Sequence, residues 1–172
     1  RGKDAQLVIF DMDTPGGMVS AERKIVSLIT RELKDIYTVA YVRPEAISAG
    51  AVIALACDEI IMIPASKMGD AMPIMISPTG QLAPMPKAER SKIESYQIAD
   101  LHLLTERVGH SEAACDAMIS TSLRVWLIRN PKTRELKLVN PDLPTWASNI
   151  SGVPLKAGQR PSLIEHEWEF VK

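Results

Sequence analysis

The sequence is poor in the residues from which metal, disulfide and nucleic-acid sites are usually built. Its two cysteines, Cys57 and Cys115, stand in apolar surroundings with neither CxxC nor Cys/His spacing. This excludes a disulfide framework and a cysteine-based metal site, and predicts two buried thiols. Aromatic residues make up only 5% of the chain, and Lys plus Arg (20) nearly cancels Asp plus Glu (21). A nucleic-acid surface needs a basic stripe, commonly interleaved with aromatics, and none is present. No apolar run approaches the roughly 18 residues of a membrane span, and the charged start RGKD is not that of a signal peptide. The piece therefore reads as soluble by itself, with no internal repeat or low-complexity segment.

What is present is core-forming material: 172 residues, 46% hydrophobic and 24% charged, the range of a globular domain with a sizeable core. QLVIFDMD (6–13) is an apolar, β-branched run stopped by Pro15, Gly16 and Gly17, the pattern of a buried strand. Behind it Val19, Ile25, Val26, Leu28, Ile29 and Leu33 recur at helical spacing, which predicts an amphipathic crossover helix. TVAYV (38–42) reads as the next strand, so the unit is strand–helix–strand, the signature of a parallel sheet. SAGAVIALACD (48–58) predicts a buried helix of small residues, and EIIMIP (59–64) a third strand.

Residues 65–86, rich in Met, Pro and Gly, predict a long irregular loop of the kind that serves a site. Helical periodicity returns over 87–108, closed by Gly109, and Ser111 can cap a short helix over SEAACDAMI. LRVWLIR and ELKLV flank NPKT as a hairpin would, after which Pro141, Pro144, Pro154 and Pro161 break regular structure. The division expected is an α/β core over 1–120 and a hairpin with a Pro-rich tail over 121–172.

The stretch LVIFDMDTPGG admits two chemistries. Asp11 and Asp13, two apart at a strand end, suit a phosphatase of the haloacid-dehalogenase type, in which one carboxylate attacks phosphorus and the other moves a proton. That pattern wants Thr or Val where Pro15 stands, and a paired acidic motif that GD at 69–70 does not supply. The second chemistry lies in TPGG. Paired glycines after a parallel strand expose backbone N–H groups unshielded by side chains, and such donors can hold an oxyanion. One crossover later, AISAG places Ser48 at the start of a small-residue helix, where the N–H of Ala49 can face the same oxygen.

TPGG, YVRPEAISAGAVIALACDEIIMIP and MGDAMPI together resemble the ClpP/crotonase-like fold as used by NfeD-type membrane-associated serine proteases, relatives of signal peptide peptidase, over about Leu7 to Met118. The resemblance implies stacked β-α-β units with a parallel sheet and a C-terminal hairpin extension. It implies Ser48 as nucleophile, and an oxyanion hole from Gly17 and Ala49 with Gly16. The family's patterns include a further strand and helix before this first strand, and the sequence is expected to lack them. ClpP places a histidine some two dozen residues after its serine, but here the next histidine is His102. NfeD-type enzymes use a lysine opening the helix after the long loop, and KIES at 92–95 makes Lys92 the base, with Lys87 its competitor.

A lysine accepts a proton near neutral pH only where burial lowers its pKa. Asp70, close by, would oppose that.

By the same resemblance the substrate is a polypeptide, an apolar segment of a membrane-associated protein, with Met68, Met72, Met75 and Met85 lining the groove. The protein would be a homo-oligomer, membrane-associated or extracytoplasmic, working without metal or cofactor. Two other readings are a non-catalytic peptide-binding scaffold on this fold and acyl-CoA chemistry of the crotonase type, for which no acidic pair is placed.

Overall fold

The structure, a computed structural model, describes residues 5–77, 79–120, 123–139 and 169–171. Strand β1 (Leu7–Thr14) leads through helix α1 (Val19–Ser27), which continues as a π-helical turn over Leu28–Glu32, into β2 (Tyr37–Ile47). Helix α2 (Ala49–Leu55) and β3 (Glu59–Met62) come next. β1, β2 and β3 form a parallel sheet in that order, with Phe10 opposite Ala40 and Ala40 opposite Ile60. The expected β-α-β repeat is therefore present.

β1 departs from the expectation of a fully buried strand. It is the sheet's edge, and its burial alternates: Met12 is buried, while Leu7 and Ile9 stay about half exposed on the other face. Hydrophobic content cannot distinguish a one-sided strand from a two-sided one when both faces carry aliphatic residues.

The core of this unit collects Met12, Ala40, Val42, Ala46, Ala54 and Cys57 around Ile29, with Phe10, Val26, Met68 and Leu104 packed against it. Burying the larger of these contributes roughly 1.5–3 kcal/mol each, and the alanines let α2 approach the sheet closely. The π turn, closed by the Leu33 N–H donating to the Leu28 carbonyl, shifts the helical phase so that Ile29 is the residue delivered inward.

Residues 65–86 are more ordered than a loop. β4 (Lys67–Gly69) pairs in parallel with the far end of β2, Glu45 to Ile47, and β5 (Met75–Ile76) pairs antiparallel with β6 (Leu82–Ala83). Strands of two and three residues are too short to carry a period. α3 (Lys87–Val108) matches the sequence expectation and ends on Gly109 at φ 81°. Its last turn is tied to the α2–β3 junction. Arg107 bonds Asp58 at 3.2 Å and the Ala56 carbonyl, and Asp58 in turn accepts from the Thr38 amide and hydroxyl at 2.8 and 2.7 Å.

The chain divides into two compact units between His110 and Ser111, so α4 (Glu112–Ile119) groups with the C-terminal unit. In that second unit Ser111 caps α4, its hydroxyl accepting from the Ala114 N–H at 3.4 Å. β7 (Trp126–Arg129) and β8 (Leu136–Val139) form the expected antiparallel hairpin, whose turn is held by the Asn130 side chain accepting from the Lys132 and Thr133 amides. β9 (Glu169–Phe170) adds to the other side of β7. Pro141, Pro144, Pro154 and Pro161 lie outside the described residues.

Candidate active site

The end of β1, the end of β2 and the end of β4 meet at Ser48. β1 and β2 run in register to Met12 opposite Val42, then shift so that Thr14 faces Ala46. β4 pairs beside Ile47, and its Gly69 carbonyl accepts the Ser48 N–H at 2.8 Å. Ser48 is thereby pinned at φ 54°, ψ −121°, a conformation that L-residues avoid and that costs of order 1–3 kcal/mol.

The Ser48 hydroxyl makes no cap hydrogen bond to α2. That separates it from an ordinary helix N-cap serine, whose oxygen is occupied by a backbone N–H. Ser48 instead lines a cavity of ≈ 680 Å³ together with Gly17, Ala49, Asp70 and Met72.

The two glycines of TPGG differ in what they do. The Gly16 N–H donates to Thr14 Oγ1 at 3.1 Å, so it is already engaged. Gly16, at φ +116°, gives space instead: a Cβ there would lie 2.7 Å from Ser48 Cβ and 3.1 Å from the Ile47 carbonyl oxygen. Among the described residues the Gly17 N–H has no acceptor, and Gly17 lines the cavity. Ala49 opens α2, where a backbone N–H has no intrahelical partner. Gly17 and Ala49 are thus placed on the cavity with uncommitted donors.

The remaining sequence candidates are spread. Met72 lines the cavity, Met68 packs against the core, and Met75 stands exposed in β5. Met85 is half-buried just ahead of α3. Lys87 and Lys92 lie exposed on the first turns of α3, and the residue of that helix that lines the cavity is Gln97. Asp70, at φ 50°, lines the cavity. Asp11 and Asp13 line one open surface pocket together with Arg43, and Asp11 is committed to that arginine. Both its carboxylate oxygens are held by Arg43, at 2.8 and 2.6 Å, and this hydrogen bonding keeps its pKa below the usual carboxylate range. A carboxylate paired with a guanidinium is a weaker nucleophile, which counts against the phosphatase reading. Among the described residues no three His, Cys, Asp or Glu side chains gather as metal ligands would.

Sequence reasoning missed several residues here. Thr14 bonds the Gly16 amide through its hydroxyl while its methyl fills the space over Gly50, where a Cβ would come within 2.5 Å of Thr14 Cγ2. Glu22 on α1 and Gln97 on α3 reach the cavity from helices whose patterns show only amphipathicity. The threonine before PGG was the one available signal.

Comparison with known proteins agrees with this geometry. The chain is 32% identical over 124 residues to the membrane-bound protease PH1510 of Pyrococcus horikoshii, covering 70% of this chain and 27% of that protein. It is 46% identical over 71 residues to the membrane protein NfeD1b of Bacillus subtilis, covering 40% of this chain and 16% of that protein. The chain therefore spans well under a third of the length of either. Two solved structures of 1510-N, a membrane-bound stomatin-specific protease, superpose with a TM-score of 0.59 at 32% identity. One is a lysine-to-alanine mutant in complex with a substrate peptide and the other a serine-to-alanine mutant. Each match covers 69% of this chain, and 53% and 56% of the respective solved chains. Among the described residues no helix is long and apolar enough to cross a membrane. The NfeD1b N-terminal domain profile matches residues 1–142, and with the shared α/β fold around Ser48 the chain belongs to that family.

Proposed function

We propose that this chain is the catalytic part of a serine endopeptidase with a Ser48/Lys92 dyad. The observation that carries the reading is Ser48 itself: a strained backbone, a hydroxyl not spent on capping its helix, and a cavity shared with Gly17 and Ala49. In the reaction Ser48 Oγ attacks the peptide carbonyl carbon while Lys92 takes the hydroxyl proton. The oxyanion is held by the N–H groups of Gly17 and Ala49, with Gly16 keeping the approach open. Collapse expels the amine, which takes the proton from Lys92, and water then hydrolyses the Ser48 ester by the same relay.

Lys92 as base is supported by the KIES pattern and by the solved relatives, one with a lysine and one with a serine replaced by alanine. The helix that carries it also reaches the cavity through Gln97, and catalytic contacts in ligand-free proteins are often looser than in the working complex. Substrates are polypeptide segments of membrane-associated proteins, bound along apolar walls that include Val52, Met72 and Ile74. The working protein is a membrane-associated homo-oligomer, in keeping with relatives named as membrane proteins.

A fluorophosphonate probe tests this reading. The wild-type protein labels and Ser48→Ala does not, while Lys92→Ala slows labelling by about 100-fold or more and Lys87→Ala does not. Equal labelling of Ser48→Ala and wild type would remove the peptidase assignment. Loss on Lys87→Ala alone would move the base to that lysine.

A further inference from the structure

Two glycines in succession make the turn after β1 easy to form and hard to fix. With no Cβ on either side, the peptide that joins Gly16 to Gly17 can rotate between orientations at little steric cost. An oxyanion donor, by contrast, serves only if its direction is set before the reaction. Thr14 supplies that direction. Its Oγ1 accepts from the Gly16 N–H at 3.1 Å and donates to the Gly16 carbonyl at 3.4 Å. In a planar trans peptide the C=O and the N–H that follows it point opposite ways, so a Gly16 carbonyl drawn back to Thr14 turns the Gly17 N–H away from it. Gly17 lines the Ser48 cavity and Thr14 does not. Pro15 has no N–H and that of Gly16 is engaged by Thr14, which leaves Gly17 as the free donor of the turn among the described residues.

The hydroxyl is itself held in place. A register shift between β1 and β2 sets Thr14 opposite Ala46, and its methyl lies so close to Gly50 that a Cβ there would come within 2.5 Å of it. A β-branched side chain has few χ1 choices, and with the methyl over Gly50 the Oγ1 falls on Gly16. Thr14 thus touches the backbone beside each oxyanion donor, at Gly16 before Gly17 and at Gly50 after Ala49.

We propose that Thr14 is a positioning residue for acylation of Ser48: it engages the Gly16 N–H, orients the Gly16–Gly17 peptide, and so keeps the Gly17 N–H turned to the oxyanion. The inference rests on the peptidase reading for its chemistry and adds to it a residue that acts through Gly17 and not on the substrate.

The test compares three variants of the full chain. Thr14→Val keeps the shape and loses the hydroxyl, Thr14→Ala loses both groups, and Thr14→Ser returns the hydroxyl alone. With the fluorophosphonate probe, the limiting labelling rate of Thr14→Val and Thr14→Ala falls about 10- to 100-fold, and Thr14→Ser recovers most of it. The probe concentration at half the limiting rate moves by less than about 2-fold, since the lost interaction belongs to the transition state. Hydrogen exchange at the Gly16 amide, read by NMR, reports the turn without any activity. It quickens about 10-fold in Thr14→Val and Thr14→Ala and slows again in Thr14→Ser.

Labelling of Thr14→Val or Thr14→Ala at the wild-type limiting rate overturns the inference. So does a loss that Thr14→Ser, with the wild-type unfolding midpoint, fails to restore. Should Thr14→Val not fold, the alanine and serine variants decide. Absence of labelling at Ser48 in wild type sinks the peptidase reading by itself, and exchange at Gly16 then scores Thr14 alone: a rate indifferent to the hydroxyl overturns its positioning role.

Discussion

A Cβ on Gly16 would sit 2.7 Å from Ser48 Cβ, closer than such atoms approach, so the turn after β1 and the candidate nucleophile are packed with no room for a methyl group. Gly16→Ala therefore has to displace either Ser48 or the Ile47 carbonyl, and it also strains a backbone at φ +116°. We expect about 1–3 kcal/mol of destabilisation and loss of fluorophosphonate labelling. Gly17→Ala, with open space at its Cβ, should remain folded. Unfolding midpoints and labelling rates of the two variants separate them. Equal labelling of Gly16→Ala and wild type would show that the Gly16–Ser48 contact is not needed.

Ser48 is held at φ 54° by its own N–H bond to Gly69. Glycine adopts that region without penalty. Ser48→Gly should thus be more stable than Ser48→Ala by about 1 kcal/mol or more, although both lose the hydroxyl. Equilibrium denaturation of the two variants reads this difference, and equal stability would mean that the backbone at 48 is unstrained.

Gly50 lies under Thr14, and a Cβ there would be 2.5 Å from Thr14 Cγ2. Rotating Thr14 aside would break its hydroxyl bond to the Gly16 amide. Gly50→Ala is expected to cost about 1–3 kcal/mol. Adding Thr14→Ser, which removes the methyl and keeps the hydroxyl, should restore most of it. A double-mutant cycle on thermal stability reports the coupling, and strict additivity would place the clash elsewhere.

Asp58 joins Thr38 and Arg107 at the base of the sheet. Burial acts to raise its pKa, but the Thr38 hydroxyl and amide together with Arg107 bring it below the ordinary carboxylate value. The sign comes from the lowered folded value. The stabilisation is complete above the unfolded carboxylate pKa of roughly 4 and is lost as pH falls through the lower folded value. Thr38→Val should destabilise by about 1–2 kcal/mol at pH 7, and its deficit relative to wild type should shrink toward pH 2. A deficit independent of pH would show that the hydroxyl acts through packing and the bond it accepts from the Asp58 N–H, not through the carboxylate.

Burial pushes the Cys57 and Cys115 thiols up to about 11. At pH 8 roughly one thiol in a thousand is then ionised, and both are inaccessible. Ellman's reagent should leave the native protein nearly unlabelled over minutes and titrate two thiols once denaturant is added. Rapid labelling of the native chain would mean that these sites open.

Hydrophobic period and punctuation by Gly and Pro were sufficient to read β1, β2, α2, β3, α3 and the β7–β8 hairpin from the sequence, because each is long enough to express a pattern or is bounded by turn residues. TPGG followed by AISAG carried the fold family and Ser48, since small residues at a close backbone approach have few substitutes. Three-dimensional pairing decided the rest. β4, three residues long, has no period of its own and exists because the end of β2 offers it partners. That pairing places the Gly69 carbonyl to hold Ser48 in its strained conformation. The division of work between Gly16, which makes room, and Gly17, whose donor stays uncommitted, and the arrival of Glu22 and Gln97 at one cavity depend on distances between elements far apart in the chain, and no local pattern encodes them.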